Sequence, residues 1–379
     1  MLAAGEGALE FRLGRNRSRE TLTDLAFATS QRIPEDVFRT GKAQALRDVQ
    51  LDGKHECTAQ IGIRSVACLP LRSVQFLDSA DARAEGRQFG VLYLDSQTRT
   101  TLLSDETLSA LEAVAEEASF AIEQAWLYRE QADKLRMERE MRFAAEMQRA
   151  LLPPSVACRP HLEAVAHAVP CHAMGGDFYD YLRLDPASPE FSFTLGDVAG
   201  KGAPAALLSA MMLGMIQAEA RVGGVSHPAA IVSRLNQALC DRRLESRFVT
   251  LMLGAIAPDG TLTYCNAGHN PPLIAGRDGI RRLDVGGPIV GLLPSAAWEE
   301  ATERPTPGDA LVIFSDGVSE ALSTDGEEFG DARLCGVVGA ADETPQAVVN
   351  RIMAAVEAFT AGAPQSDDIT VMVVRYLGT

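Results

Sequence analysis

Four aspartates sit where a chain turns or a strand ends. They are Asp177 in GGDFYD (175–180), Asp197 in GDVAGKG (196–202), Asp316 in FSDGVSEA (314–321) and Asp367 in SDDIT (366–370). Singly each is weak, since an Asp-Gly pair such as Asp316-Gly317 is ordinarily a turn. Together they read as an oxygen-only site for hard divalent cations. Magnesium and manganese take carboxylate oxygens and keep several waters, so a few aspartates suffice. Carboxylates gathered without basic partners repel one another and their pKa values rise; bound cations remove that cost. Such a site activates water near neutral pH and holds a phosphoryl group for in-line attack.

Apolar strands must position these groups. Phe193 and Leu195 lead to Asp197, Val312 and Phe314 lead to Asp316, and Asp367 opens a last strand, ITVMVVRY. A strand holds a ligand more rigidly than a free loop. Strands are predicted over 191–198, 248–256, 262–268, 310–317 and 369–376, and helices over 203–220, 228–244 and 345–360. Pro204 suits the first turn of its helix. Asp-Gly turns at 259–260 and 278–279 predict hairpins. The region 153–379 therefore reads as a β-sandwich flanked by helices, in an α+β chain. GDVAGKGA is not a phosphate-cradling P-loop: its glycine spacing is wrong and Gly202 follows the lysine. In NAGHNPP (266–272), Asn266 and His269 are candidate substrate contacts, or a turn whose side chains satisfy local backbone. GGPIVGLLP (286–294) is a loop that could border a cleft.

The first 103 residues mix short strands with helix. LEFRLGRN, IGIRSVACLPLR and GRQFGVLYLDS read as strands, the last with Val91, Tyr93 and Asp95 alternating against Leu92 and Leu94. A short helix is predicted over 33–46 and a loop over 76–88. From Ser104 to Leu152 the pattern is one long helix. Ser104 caps it, Asp105 and Glu106 suit its positive end, and no proline or glycine occurs before Pro153-Pro154. At 1.5 Å per residue it would run roughly 70 Å. Leu108, Leu111, Ala115, Ala118, Ile122, Ala125 and Ala132 form a seam for another helix. The seam weakens into charge over 129–142 and resumes with Met141, Ala144, Met147 and Leu151. This predicts a parallel homodimer; the alternative is two helices with a kink, each packing on its own domain. Three regions follow: 1–103, a linker helix 104–152, and 153–379.

The apolar share, 46 %, is ordinary for a globular protein. The net charge is −16, and beyond residue 150 the chain carries 27 acidic against 15 basic side chains. That argues against nucleic-acid and anionic-membrane partners. Seven scattered cysteines without CxxC fit free thiols in a reducing, cytoplasmic compartment. His161, His167 and His172 read as surface or loop histidines. The opening residues lack a signal-peptide pattern, and the longest apolar run, about 203–216, is too short to span a bilayer.

Taken in order, LLP (151–153), GGDFYD, GDVAGKGAPAAL, NAGHNPP, GLLP, FSDGVSEA and SDDITVMVV resemble the bacterial SpoIIE/RsbU-type branch of the metal-dependent Ser/Thr phosphatases, relatives of protein phosphatase 2C. The resemblance implies a central β-sandwich and two Mn²⁺ or Mg²⁺ ions. It implies that Asp197 bridges both metals and Val198 offers its carbonyl. Asp177 then holds one metal, and Asp316 and Asp367 the other, with Asp368 an adjacent alternative to Asp367. The substrate it implies is a phosphorylated anti-sigma-factor antagonist in a partner-switching pathway. The front region is similar to a GAF sensor domain, carried by GIRSVACLPLR and FGVLYLDS. The first helix and strand of that pattern are missing before LEFRLGRN, so the expectation is a truncated GAF-like module.

Overall fold

The computed structural model describes residues 2–4, 9–22, 32–46, 63–73, 88–97, 104–182, 190–242, 247–339 and 343–378. The loop expected over 76–88 lies almost wholly outside them. The chain divides into two compact units, Met1–Arg136 and Met137–Thr379.

In the first unit, β1 (Leu2–Ala4), β2 (Leu9–Phe11), β5 (Gln44–Leu46), β6 (Ser65–Arg72) and β7 (Gln88–Ser96) form a sheet in the order β2-β1-β7-β6-β5; β3 (Gly14–Arg15) and β4 (Thr21–Leu22) pair separately. Alternate side chains of a strand point to opposite faces. Val66 and Cys68 of β6 therefore join Val91 and Tyr93 in a cluster with Ile33 and Val37 of helix α1 (Arg32–Thr40). Ala67, Leu69 and Leu71 face the other way. α1 is shorter than predicted: the chain turns at Gly41 (φ 65°), and Gln44–Leu46 are taken by the sheet edge.

Helix α2 (Asp105–Leu151) is continuous over 47 residues. Ser104 Oγ accepts from the Thr107 N–H, as the sequence predicts for its cap. The expected seam is spent differently. Leu108, Leu111, Ala115, Ala118 and Ile122 pack on Ala67, Leu69 and Leu71 of β6 within the first unit. Ser119 Oγ accepts from the Arg72 N–H. The sheet thus takes the apolar stripe that the sequence offers to a partner helix. Trp126, Leu127, Leu135, Met137, Met141, Phe143 and Met147 are left exposed along the middle and end of α2.

The second unit is a four-layer sandwich. One sheet runs β10 (Phe178–Leu182), β11 (Phe191–Val198), β12 (Val249–Ile256), β13 (Leu262–Ala267) and β16 (Gly286–Gly287), with β17 (Ala301–Glu303) also on β13. The other runs β15 (Gly279–Arg282), β14 (Leu273–Gly276), β18 (Ala310–Phe314), β19 (Ile369–Tyr376), β9 (Leu162–Val169) and β8 (Val156–Arg159). Tyr181, Phe193, Leu195 and Met252 of the first meet Ile274, Ile313, Met372 and Val374 of the second in the central core. Helices α3 (Ala203–Gly223) and α4 (Pro228–Asp241) cover the first sheet's outer face. Helices α6 (Gly330–Val338) and α7 (Pro345–Thr360) cover the second's. Both Asp-Gly hairpins form, joining β12 to β13 and β14 to β15.

Two local expectations are corrected. β18 stops at Phe314, and Asp316 begins a one-turn helix α5 (Asp316–Ser319) rather than ending the strand. His161 is buried, unlike the exposed His167 and His172, because the turn from β8 into β9 folds under the chain end, where the Leu377 N–H donates to the His161 carbonyl. Among the described residues one helix, Ala203–Gly223, is long and apolar enough to cross a membrane. Here that helix buries Ala205, Met212 and Ile216 against the sandwich, as a core helix does.

Candidate active site

Antiparallel pairing explains why distant aspartates meet. It sets the start of one strand beside the end of its neighbour. Phe178 at the start of β10 pairs with Gly196 near the end of β11, so Asp177 and Asp197 fall together. Phe314 at the end of β18 pairs with Val371 near the start of β19, so Asp316 and Asp367 share an edge too. The two sheets are joined at that edge by Thr370, whose hydroxyl donates to Asp177 Oδ2 at 2.6 Å. Ser315, fully buried, ties the second pair: its Oγ donates to the Asp368 carbonyl (3.1 Å) and accepts from the Thr370 N–H (2.9 Å).

The resulting cluster is electrostatically loaded. Burial raises Asp177 well above the ordinary carboxylate range, and the charge of Asp197 adds to it against the Thr370 hydrogen bond. Asp197 is pushed up to about 7, first by burial and then by Asp316, Asp367 and Asp368. Asp316 is raised by burial and by Asp367, with the Gly317 N–H and Lys201 acting against that. Lys201 forms an ion pair with Asp367 (Nζ to Oδ2, 3.0 Å) and donates to the Ser366 carbonyl.

The donors on offer are all oxygen: the four carboxylates and the Val198 carbonyl. Gly176 leaves the space they need, since a Cβ there would stand 2.7 Å from the Val198 oxygen and 3.1 Å from Asp197 Oδ1. This fits a hard divalent cation, whose positive charge would relieve the repulsion raising the three pKa values. Among the described residues no three His, Cys, Asp or Glu side chains form a ready-made metal cluster. Magnesium-type sites complete their shells with waters and backbone carbonyls rather than with side chains alone.

Asp368 does different work from its neighbours. Its Oδ1 accepts from the Cys171 N–H (2.7 Å) and its Oδ2 from the Gly176 N–H (2.6 Å). It is a buried clamp on the GGD turn. Gln148, near the end of α2, grips the same turn: its amide donates to the Gly175 carbonyl (2.7 Å) and accepts from the Gly175 N–H (3.3 Å). Neither role is readable in the sequence beyond the doubled aspartate of SDDIT. Asn266 and His269 lie together in a turn. The Asn266 amide donates to the His269 carbonyl (3.0 Å) and accepts from its N–H (2.8 Å), around Gly268 at φ 66°. The His269 ring is buried, Nδ1 sharing a hydrogen bond with Thr250 Oγ1 (2.9 Å). Thr250 is the register partner of Asp197, so this turn stands behind the carboxylates.

The sequence model of the family described as Stage II sporulation protein E (SpoIIE) matches residues 188–377, half of the chain. The chain belongs to the SpoIIE family. The matched span holds Asp197, Asp316 and Asp367, and Asp177 lies just ahead of it. A GAF domain model matches residues 5–122. Protein IcfG of Synechocystis is 28 % identical over 262 residues, covering 62 % of this chain and 41 % of IcfG. The phosphoserine phosphatase RsbU of Bacillus subtilis is 29 % identical over 190 residues, covering 49 % of this chain and 55 % of RsbU. The chain thus matches about half the length of these curated relatives. Among solved structures, the SiaA-PP2C domain of Pseudomonas aeruginosa superposes with a TM-score of 0.57 at 20 % identity, covering 65 % of this chain and 99 % of that one. The PP2C phosphatase domain of SpoIIE with a fragment of its regulatory domain, from Bacillus subtilis, gives 0.50 at 22 % identity, covering 58 % and 64 %. These two likenesses show that the SpoIIE-family unit has the PP2C fold.

Proposed function

We propose that this SpoIIE-family chain is a metal-dependent phosphoserine/phosphothreonine protein phosphatase, acting on a phosphorylated anti-sigma-factor antagonist in the cytoplasm. The observation that carries the reading is the meeting of Asp177, Asp197, Asp316 and Asp367 from both sheets at one edge, three of them with pKa values raised by burial and by the neighbouring aspartates. In this reading Asp177, Asp197, Asp316, Asp367 and the Val198 carbonyl would hold two Mn²⁺ or Mg²⁺ ions. The ions, when bound, supply Lewis-acid stabilisation of the phosphoryl group and a nucleophile from water. The chain's own groups hold the carboxylates at fixed positions: Thr370 orients Asp177, Ser315 fixes the start of β19, and Asp368 fixes the GGD turn. Asn266 and His269 support the wall behind Asp197 in this scheme rather than gripping the substrate. The likeness to RsbU, a phosphoserine phosphatase, supports phosphoserine as the group acted on.

We divide the chain for function at 103/104 and 152/153, with the GAF region as sensor and α2 as the link. The exposed apolar side chains of α2 from Trp126 to Met147 support a parallel homodimer through that helix. Gln148 is the contact by which a shift of the helix would reach the GGD turn. The test is release of phosphate from a phosphoserine protein by the full chain. Chelation should abolish it and Mn²⁺ or Mg²⁺ restore it; full turnover after exhaustive chelation would refute the reading.

A further inference from the structure

A cavity with a volume of about 460 Å³ lies beside the Asp316 and Asp367 loops. That is within the usual range for ligand pockets, roughly 300–1,000 Å³. Its apolar surface comes from Val169, Leu322, Met353, Val356 and Ile369, and its polar border includes His167, Glu357 and Thr360. Gly317, Gln365 and Ser366 also line it. These three stand next to Asp316 or within two residues of Asp367, so the cavity and the carboxylate cluster share this stretch of backbone. The stretch is braced: the Gln365 amide donates to the Val169 carbonyl (2.9 Å) and to the Asp367 carbonyl (2.7 Å).

We infer that this cavity is a substrate subsite that takes a bulky apolar side chain of the phosphoprotein, two to four residues from its phosphoserine. The inference rests on the phosphatase reading above and extends it to sequence preference. An extended chain spans at most about 3.3–3.6 Å per residue. Gly317, Gln365 and Ser366 line the cavity beside Asp316 and Asp367, so a peptide whose phosphoryl group sits at the carboxylates reaches that lining within a few residues. Met353 suits the pocket to more than one apolar shape, because its unbranched side chain repacks readily. Glu357, exposed at the border, favours a basic residue beside the apolar one.

The test uses the full chain with Mn²⁺, phosphoserine peptides in which a single leucine is walked along an alanine background, and p-nitrophenyl phosphate as a substrate too small to reach the cavity. Burying a leucine side chain is favoured in proportion to the apolar area removed from water, so wild-type kcat/KM should rise about tenfold or more when leucine occupies one or two particular positions. Two variants, Thr360→Trp to fill the cavity and Leu322→Asp to charge its border, should each erase that preference, seen as a fall in the peptide-to-aryl-phosphate ratio. A flat leucine scan, a preference that survives both variants, or equal losses on peptide and aryl phosphate would overturn the subsite, the last making the cavity only a brace for the Asp367 loop. Wild-type protein inactive on every one of these substrates would instead remove the phosphatase reading, and the subsite with it.

Discussion

Two kinds of carboxylate, one buried and the other half-buried, lie side by side at the mouth of the sandwich. Asp368 is met by backbone N–H groups of Cys171 and Gly176, and its neighbours are arranged around its charge. Asp177, Asp197 and Asp316 have their pKa values raised first by burial and then by the charges of neighbouring aspartates. The same residue type thus builds the scaffold at one position and stores electrostatic cost at the next. Buried charge that the protein leaves uncompensated marks a place reserved for something else. Here its chemistry asks for a cation.

The sharpest way to break the comparison is Asp197→Asn. It keeps the shape and removes a charge from the loaded cluster. Turnover of a phosphoserine protein should fall at least about 10²-fold, on the scale of removing a main electrostatic stabiliser. The melting temperature without metal should hold or rise. Near-normal turnover at saturating Mn²⁺ would take Asp197 out of the site.

Asp368→Ala should give the opposite profile. It strands the Cys171 and Gly176 N–H groups. With each unsatisfied buried donor costing about 1–3 kcal/mol, denaturant unfolding should show a loss of a few kcal/mol, with or without metal. A variant as stable as wild type would mean that Asp368 belongs with the other three.

His269 supplies a neutral contrast behind the cluster. Burial holds its pKa down to about 4, below the ordinary value near 6.5. Between those values the unfolded chain binds a proton that the folded protein refuses. The His269 contribution to stability should therefore fall as pH drops from about 6.5 towards 4 and be retained above that window, against the opposite slope contributed by the raised carboxylates of Asp177, Asp197 and Asp316. His269→Gln should remove this contribution, worth up to about 3 kcal/mol at full acidification, and leave the carboxylate slope in place. An unchanged slope in chemical denaturation across that range would show that the ring titrates freely.

The smallest effect is expected from Gln148→Ala, which releases Gly175 from α2. Losing the pair of hydrogen bonds should cost about 1 kcal/mol and lower turnover several-fold, with little change in KM. No change in kcat would sever the helix from the GGD turn.

Much of the second unit is legible in the sequence because its signals are local. The alternation and apolar runs of β11, β12 and β19, the Asp-Gly hairpins, and Pro204 and Pro345 at helix starts follow from backbone sterics and side-chain periodicity within a few residues. The order of the aspartate motifs is legible too. Three things needed the tertiary structure. The stripe from Leu108 to Ile122 has the same spacing whether a sheet or a helix covers it, and β6 decides which. Asp367 and Asp368 are indistinguishable as letters; only the approach of Gly176, nearly two hundred residues away in the chain, makes one of them a clamp. The pairing of Gln148 with Gly175 likewise exists only once α2 ends beside the turn. Periodicity records which faces are apolar and which residue types are present. Which surface arrives to meet them is set by packing between segments distant in sequence, and no local pattern encodes it.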